Sequence, residues 1–154
     1  MRVKRVLFGF LCLVFVFLCT GCMSKKAITT DEFISKAQAQ GYSIVDVTSQ
    51  FASYGIVEEA TVAHNSEKYQ IEFYVLKNEA EAISMYNTNK STFETYEGSS
   101  SSKTNLDMKN YSSYSLTSSG YYLYLCRVDN TLIYVKTDAV YKESVKSLIK
   151  ELGY

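Results

Sequence analysis

The 154-residue chain has no proline, no tryptophan, a single histidine, seven glycines, four cysteines and no net formal charge. Each shortage excludes something. Its 16 basic and 16 acidic side chains cancel, so it lacks the basic stripe with which nucleic-acid binders neutralise phosphates, and no nucleic-acid partner is expected. One imidazole, His64, cannot make a His-rich metal site. No Cys-x-x-Cys pair or Asp-x-Asp-x-Asp-Gly loop supplies other convergent ligands. The glycines are scattered as helix stops and turns rather than gathered into a phosphate loop, and no Gly-x-Ser-x-Gly elbow presents a nucleophile. No metal or cofactor is therefore expected. The absence of tryptophan weakens a carbohydrate-binding reading. The apolar run Val6–Cys19 is 14 residues long, short of the ~20 a spanning helix needs. The length supports one ordinary domain.

What is present begins with an address. Met1-Arg2-Val3-Lys4-Arg5 is a positive start, Val6–Cys19 is an uncharged apolar stretch, and Leu18-Cys19-Thr20-Gly21-Cys22 is the exit. That order describes an export signal. The exit resembles the lipobox of bacterial lipoproteins. The resemblance implies cleavage before Cys22 and a diacylglycerol thioether on its sulfur, and so anchorage on the extracytoplasmic face of the cell membrane. The alternative reading is an uncleaved signal anchor in which Cys22 is an ordinary thiol. Two acyl chains hold a protein firmly where one binds weakly. The expected organisation is a signal peptide over 1–21, a lipidated tether over 22–28 and a single domain over 29–154. After cleavage only Cys22 and Cys126 remain; the lipid takes one, so no intrachain disulfide is expected. The stretch from Met23 to Ile28 reaches ~20 Å when extended. Lys25 and Lys26 either meet anionic head groups or belong to a solvated linker.

The remainder reads as alternating helices and strands. Thr29 with Glu32 predicts a capping box, and Gly41 ends that helix. Ser43–Val47 reads as a short strand, and Thr48–Gly55 as a helical turn. A hairpin follows, with His64 expected opposite Tyr69, Val62 opposite Ile71 and Ala60 opposite Phe73. Asn78 caps a central helix whose stripe is Ala82, Tyr86, Asn89, Phe93 and Tyr96. Thr104–Thr117 reads as one long bent strand, Tyr121–Val128 and Thr131–Lys136 as the next two. Pairing Thr117 with Tyr121 and Val128 with Thr131 places Tyr114, Leu116, Tyr124 and Cys126 on the core face. Asp138 is expected to cap a last helix carrying Tyr141, Val145, Leu148 and Leu152. The fold class is α+β: a two-layer arrangement, an antiparallel sheet with amphipathic helices packed on one face. In element order the domain resembles small single-domain lipoproteins of Gram-positive bacteria that have no assigned activity.

No constellation of catalytic residues stands out, and the chain is expected not to be an enzyme. His64 has only Asn65, Ser66 and Glu67 beside it in sequence. Cys126 sits mid-strand and reads as a small core hydrophobe. Tyrosine, at 14 residues, is the one unusual abundance. It offers a flat apolar body with a polar tip, suited to sugar faces and protein interfaces alike. On the face opposite the expected core lie Leu123, Leu125, Leu132 and Tyr134, with Arg127 and Lys136 at the ends and Ser113 and Ser115 alongside. That face is too apolar for plain solvent surface. Either a further layer covers it, or those six residues are a binding patch. The functional expectation is a non-catalytic, membrane-anchored module that binds an envelope protein or polymer. Its rivals are a cell-wall-proximal enzyme using His64 or carboxylates, and an accessory or inhibitor-like subunit of an envelope complex.

Overall fold

The computed structural model describes residues 24–66 and 68–154. The leader and the lipidation candidate Cys22 lie outside the described residues. Helix α1 (Thr30–Ala39) starts at the expected capping box. The Thr29 hydroxyl accepts the Glu32 N–H at 3.2 Å, and the Thr29 N–H donates to the Glu32 carboxylate at 2.9 Å. That backbone bond, first among its causes, holds the Glu32 carboxyl below its usual range. Strand β1 (Ser43–Asp46) leads into a 3-10 segment, Thr48–Tyr54, where the sequence predicts a helical turn. Strands β2 (Val57–Asn65) and β3 (Tyr69–Leu76) form the first hairpin. Helix α2 (Glu79–Glu94) is capped by Asn78, whose side-chain oxygen accepts the Glu81 N–H at 3.0 Å. Strands β4 (Ser102–Asp107), β5 (Tyr111–Ser118), β6 (Tyr121–Val128) and β7 (Thr131–Asp138) follow, then helix α3 (Lys142–Leu152). All pairings are antiparallel, in the order β1-β2-β3-β7-β6-β5-β4. Among the described residues no helix is long and apolar enough to cross a membrane.

The α+β class and the antiparallel sheet stand, but the helices lie on both faces of the sheet rather than on one. Phe33 and Ala37 of α1 and Val145, Leu148, Ile149 and Leu152 of α3 pack on one face, against Ile71, Phe73, Cys126, Ile133 and Val135. Ala82, Tyr86 and Phe93 of α2 pack on the other, against Tyr74, Leu116, Leu123, Leu125 and Leu132, joined by Phe51 of the 3-10 segment. The reason is in the strands. Those of the centre are apolar at odd and even positions alike, so both faces need cover, as in any sheet buried on two sides.

Two hairpins differ from expectation by one residue, and each slip moves whole side-chain sets to the other face. Asn65, not His64, pairs with Tyr69, which puts Ala63 opposite Ile71 and Thr61 opposite Phe73. Ser66 adopts φ 46°, and the Lys68 N–H closes on the Asn65 carbonyl at 2.9 Å, tightening the turn. Likewise Ser118, not Thr117, pairs with Tyr121. Ser119 and Gly120 both take positive φ, 51° and 84°, the requirement of a two-residue primed turn. Tyr114 and Leu116 therefore join Leu123 and Leu125, while Ser113 pairs with Cys126. The β6–β7 register is as expected, with Cys126 opposite Ile133 and Tyr124 opposite Val135. The expected long bent strand is two strands, reversing where the Met108 N–H meets the Tyr111 carbonyl at 2.8 Å. Asp138 ends β7 and stands at the N-cap of a 3-10 turn, Ala139–Tyr141, without a side-chain cap bond; the Ala139 N–H donates to the Gly120 carbonyl at 2.7 Å, and α3 starts from Tyr141 rather than from Asp138.

The stretch Lys25–Ile28 is pinned to the domain. The Lys25 N–H donates to the Asn110 side chain at 3.3 Å, Asn110 donates back to the Lys25 carbonyl at 2.6 Å, and the Ile28 N–H donates to the Tyr154 hydroxyl at 3.4 Å. The Lys25 ammonium donates to the Gly153 carbonyl at 2.8 Å and lies 5.4 Å from the Tyr111 ring centre.

Candidate functional site

The six candidate binding residues do not form one surface patch. Leu123, Leu125 and Leu132 are fully buried beneath α2. They are a second core, and the covering layer is the helix whose apolar stripe the sequence already displays. Tyr134 is half-buried, its ring 5.1 Å from Phe93. Burial, more than the nearby Glu72 carboxylate, raises its pKa. Arg127 is buried too, its Nη1 donating to Glu79 at 3.0 Å and to the Asp129 carbonyl at 3.1 Å. Only Lys136 is exposed. Arg127 pairs with Leu132, and Lys136 pairs with Leu123. Four residues of β7 thus separate the two cations, ~13 Å at a strand's rise.

Lys136 belongs to a notch at one end of the sheet. The β3–β7 ladder runs from Val75↔Thr131 to Glu72↔Tyr134 and stops. Each strand nevertheless continues on its other side: β3 stays paired to β2 back to Tyr69, and β7 stays paired to β6 out to Asp138. Over 69–71 and 135–138 the two inner backbone edges therefore have no ladder pair with each other. The opening is about 380 Å³ and is lined by His64, Tyr69, Gln70, Tyr121, Lys136 and Thr137, among others. It shares His64 and Gln70 with a hollow of about 350 Å³ that reaches Val62, Glu72, Tyr74 and Phe51.

The notch walls are held by polar contacts. The Lys136 ammonium donates to the Tyr96 hydroxyl at 2.6 Å and sits 4.6 Å from the Tyr96 ring centre and 5.8 Å from that of Tyr121. The Tyr96 bond, first among its causes, raises the Lys136 pKa, so the cation persists through neutral pH. Gln70 donates to the Glu72 carboxylate at 2.7 Å, and the Tyr74 hydroxyl donates to the same carboxylate. Tyr69 stacks on Tyr141 at 5.0 Å. His64 lines both hollows, yet among the described residues no carboxylate or hydroxyl hydrogen-bonds its ring, and no group of three or more His, Cys, Asp or Glu is placed to hold a metal. Cys126 is a buried core residue whose thiol burial pushes up to about 11, which disfavours the reactive thiolate at neutral pH.

The notch escaped the sequence reading because it depends on where a long-range ladder ends. One signal was available: Gln70 and Glu72 interrupt the apolar run of β3, and Lys136, Thr137 and Asp138 end that of β7.

No protein-family model and no curated protein matches this chain. Among solved structures, the crystal structure of a GTP binding regulator from Thermotoga maritima is similar at a TM-score of 0.47 and 24% sequence identity, over 81% of this chain and 87% of that one.

Proposed function

We propose that this protein is a lipid-anchored, extracytoplasmic binding module that holds an extended polypeptide segment of an envelope partner in the notch between β3 and β7. The observation that carries the binding role is the notch itself, where the β3–β7 ladder stops at Glu72↔Tyr134 and an opening of about 380 Å³ lies among His64, Tyr69, Gln70, Tyr121 and Lys136. The aromatic and cationic side chains around it suit an extended polar segment with aromatic or acidic residues.

The anchorage supports the same reading. With Lys25 pinned by Asn110, only Met23 and Ser24 separate it from Cys22, so the free tether is ~10 Å of chain, half the reach expected from the sequence. The pinning site lies beside the β6–β7 turn, through Asn110 and Asp129. The notch lies toward the opposite end of β7, at 135–138, four to seven residues from Thr131 or ~13–23 Å along the strand. A lipid on Cys22 would therefore set one end of the sheet against the bilayer and direct the notch outward.

The test is photo-cross-linking in intact cells, with the reactive side chain at Gln70 or Thr137 in the notch and at Glu143 on α3 as the control. Discrete polypeptide adducts at the two notch positions, lost when Lys136→Glu is combined with Tyr121→Ala, are expected. Adducts equally abundant at Glu143, or none at the notch, would refute the proposal.

A further inference from the structure

A solvent-open groove runs beside α3 to the end of the sheet where Lys25 is pinned. Its volume is about 490 Å³, within the ~300–1,000 Å³ of clefts that hold small ligands. Three of its lining side chains are cations, Lys25, Lys146 and Lys150, and none is a carboxylate. Lys146 and Lys150 stand one turn apart on the same face of α3. Lys142, one turn earlier, donates to the Thr117 hydroxyl at 3.2 Å and closes the far end. The opposite wall is polar because of register. Ser113 pairs with Cys126 and Ser115 with Tyr124, which sets both serines on the sheet face that α3 covers. They are only half-buried, and with Thr104 of β4 they present hydroxyls to the groove.

The nearby carboxylates leave these cations largely uncommitted. Among the described residues Lys150 has no ion pair, and Lys146 has one, at 3.4 Å to the exposed Glu143 on its own helix. Glu151 accepts the Gln40 side chain at 2.5 Å and does not line the groove. The Lys25 ammonium rests on the Gly153 carbonyl, where it offsets the negative end of the α3 dipole. Ammonium groups facing neutral hydroxyls suit a phosphate, which lysine binds as a point charge and hydroxyls serve as donors. The place of the groove selects the source of that phosphate. Lys25 follows Cys22 by three residues, a reach of ~10 Å.

On the reading that Cys22 carries a lipid, we infer that this groove seats the phosphate of an anionic phospholipid head group from the anchoring bilayer, held by Lys25, Lys146 and Lys150. This second attachment fixes how the domain is turned about its tether. Lys26, the other cation of the tether, does not line the groove. The test is lysine footprinting with acetic anhydride on the full chain reconstituted in phosphatidylcholine vesicles, with phosphatidylglycerol added in steps. Phosphatidylglycerol should slow acetylation of Lys146 and Lys150 at least fivefold and leave Lys77 unchanged. Lys77 is an exposed cation at the same end of the sheet, next to Leu76, whose N–H meets the Asn130 carbonyl at 2.8 Å. A cation at an anionic surface strengthens attachment about fivefold. Lys150→Gln, at an exposed position, should therefore raise about fivefold the phosphatidylglycerol content that protects Lys146. The intact mass of the same sample reads the lipid on Cys22 separately. A lipidated chain whose Lys146 and Lys150 are not protected, or are slowed no more than Lys77, overturns the groove while the anchor stands. A chain without lipid overturns the anchor and, with it, the bilayer as the source. Equal protection by glycerol 3-phosphate over pure phosphatidylcholine vesicles would mean a soluble phosphate instead and would also overturn the inference.

Discussion

Replacing Leu125 with alanine separates a binding surface from a second core. Leu125 is fully buried and packs in the cluster that includes Tyr86, Phe93, Leu123 and Leu132. Leucine-to-alanine changes in close-packed interiors cost about 2–5 kcal/mol, the lost transfer energy plus the cavity left behind. An unfolding entropy of about 2.1 cal/mol/K per residue, over the 29–154 domain, is roughly 0.26 kcal/mol/K. The melting temperature should then fall by about 8–19 °C. Lys136→Ala, at an exposed position on the same sheet face, should stay within about 0.5 kcal/mol, or 2 °C. Thermal unfolding followed by circular dichroism measures both. A loss below about 2 °C for Leu125→Ala would place that side chain on a free surface and refute the assignment of α2 as its cover.

Three further outcomes follow from the same contacts. Burial, its leading cause in each, raises Tyr114, Tyr122 and Tyr154 to about 12 from the usual 10, and Cys126 to about 11 from 9. The folded state therefore binds these protons more tightly than the unfolded one. The associated stability is fully present below pH 9 and is lost as the pH rises to 12; the part of the tyrosinate absorbance that Tyr114→Phe, Tyr122→Phe or Tyr154→Phe removes should appear together with unfolding, and its appearance in a still-folded protein would contradict this. Asn110→Ala removes two bonds to the Lys25 backbone, each worth about 1 kcal/mol. Tryptic cleavage after Lys25 and Lys26 should accelerate by up to about thirtyfold, whereas an unchanged rate would mean the stretch is not held there. Thr29→Ala breaks the capping box and should cost about 1 kcal/mol in urea unfolding; no measurable cost would argue against the cap.

What the sequence made legible was local. The Thr29–Glu32 box, the Asn78 cap and the Ala82–Tyr86–Phe93 stripe are set by neighbours within one or two helical turns, and each is where periodicity and capping chemistry put it. The β6–β7 register follows from its short turn. The two displaced registers both pass through serines at positive φ, Ser66 and Ser119, a conformation that residue type alone does not announce. The choice of buried face was ambiguous for a different reason. Tyr124 and Cys126 on one side and Leu123 and Leu125 on the other are equally suited to burial, so alternation could not say that both were covered. Arg127 looked like the polar end of a surface patch because its partner Glu79 becomes a neighbour only when α2 folds across the sheet. The notch likewise exists only in the mismatch between three strand pairings.

The anchored, outward-facing arrangement rests on Cys22 carrying the lipid. Intact-mass spectrometry of the protein extracted from membranes tests this most directly. The account predicts a chain that begins at Cys22 and is heavier than its amino acids by a diacylglycerol group, with or without an additional acyl chain. A chain that retains residues 1–21, or one that begins at Cys22 with no added lipid, would contradict it.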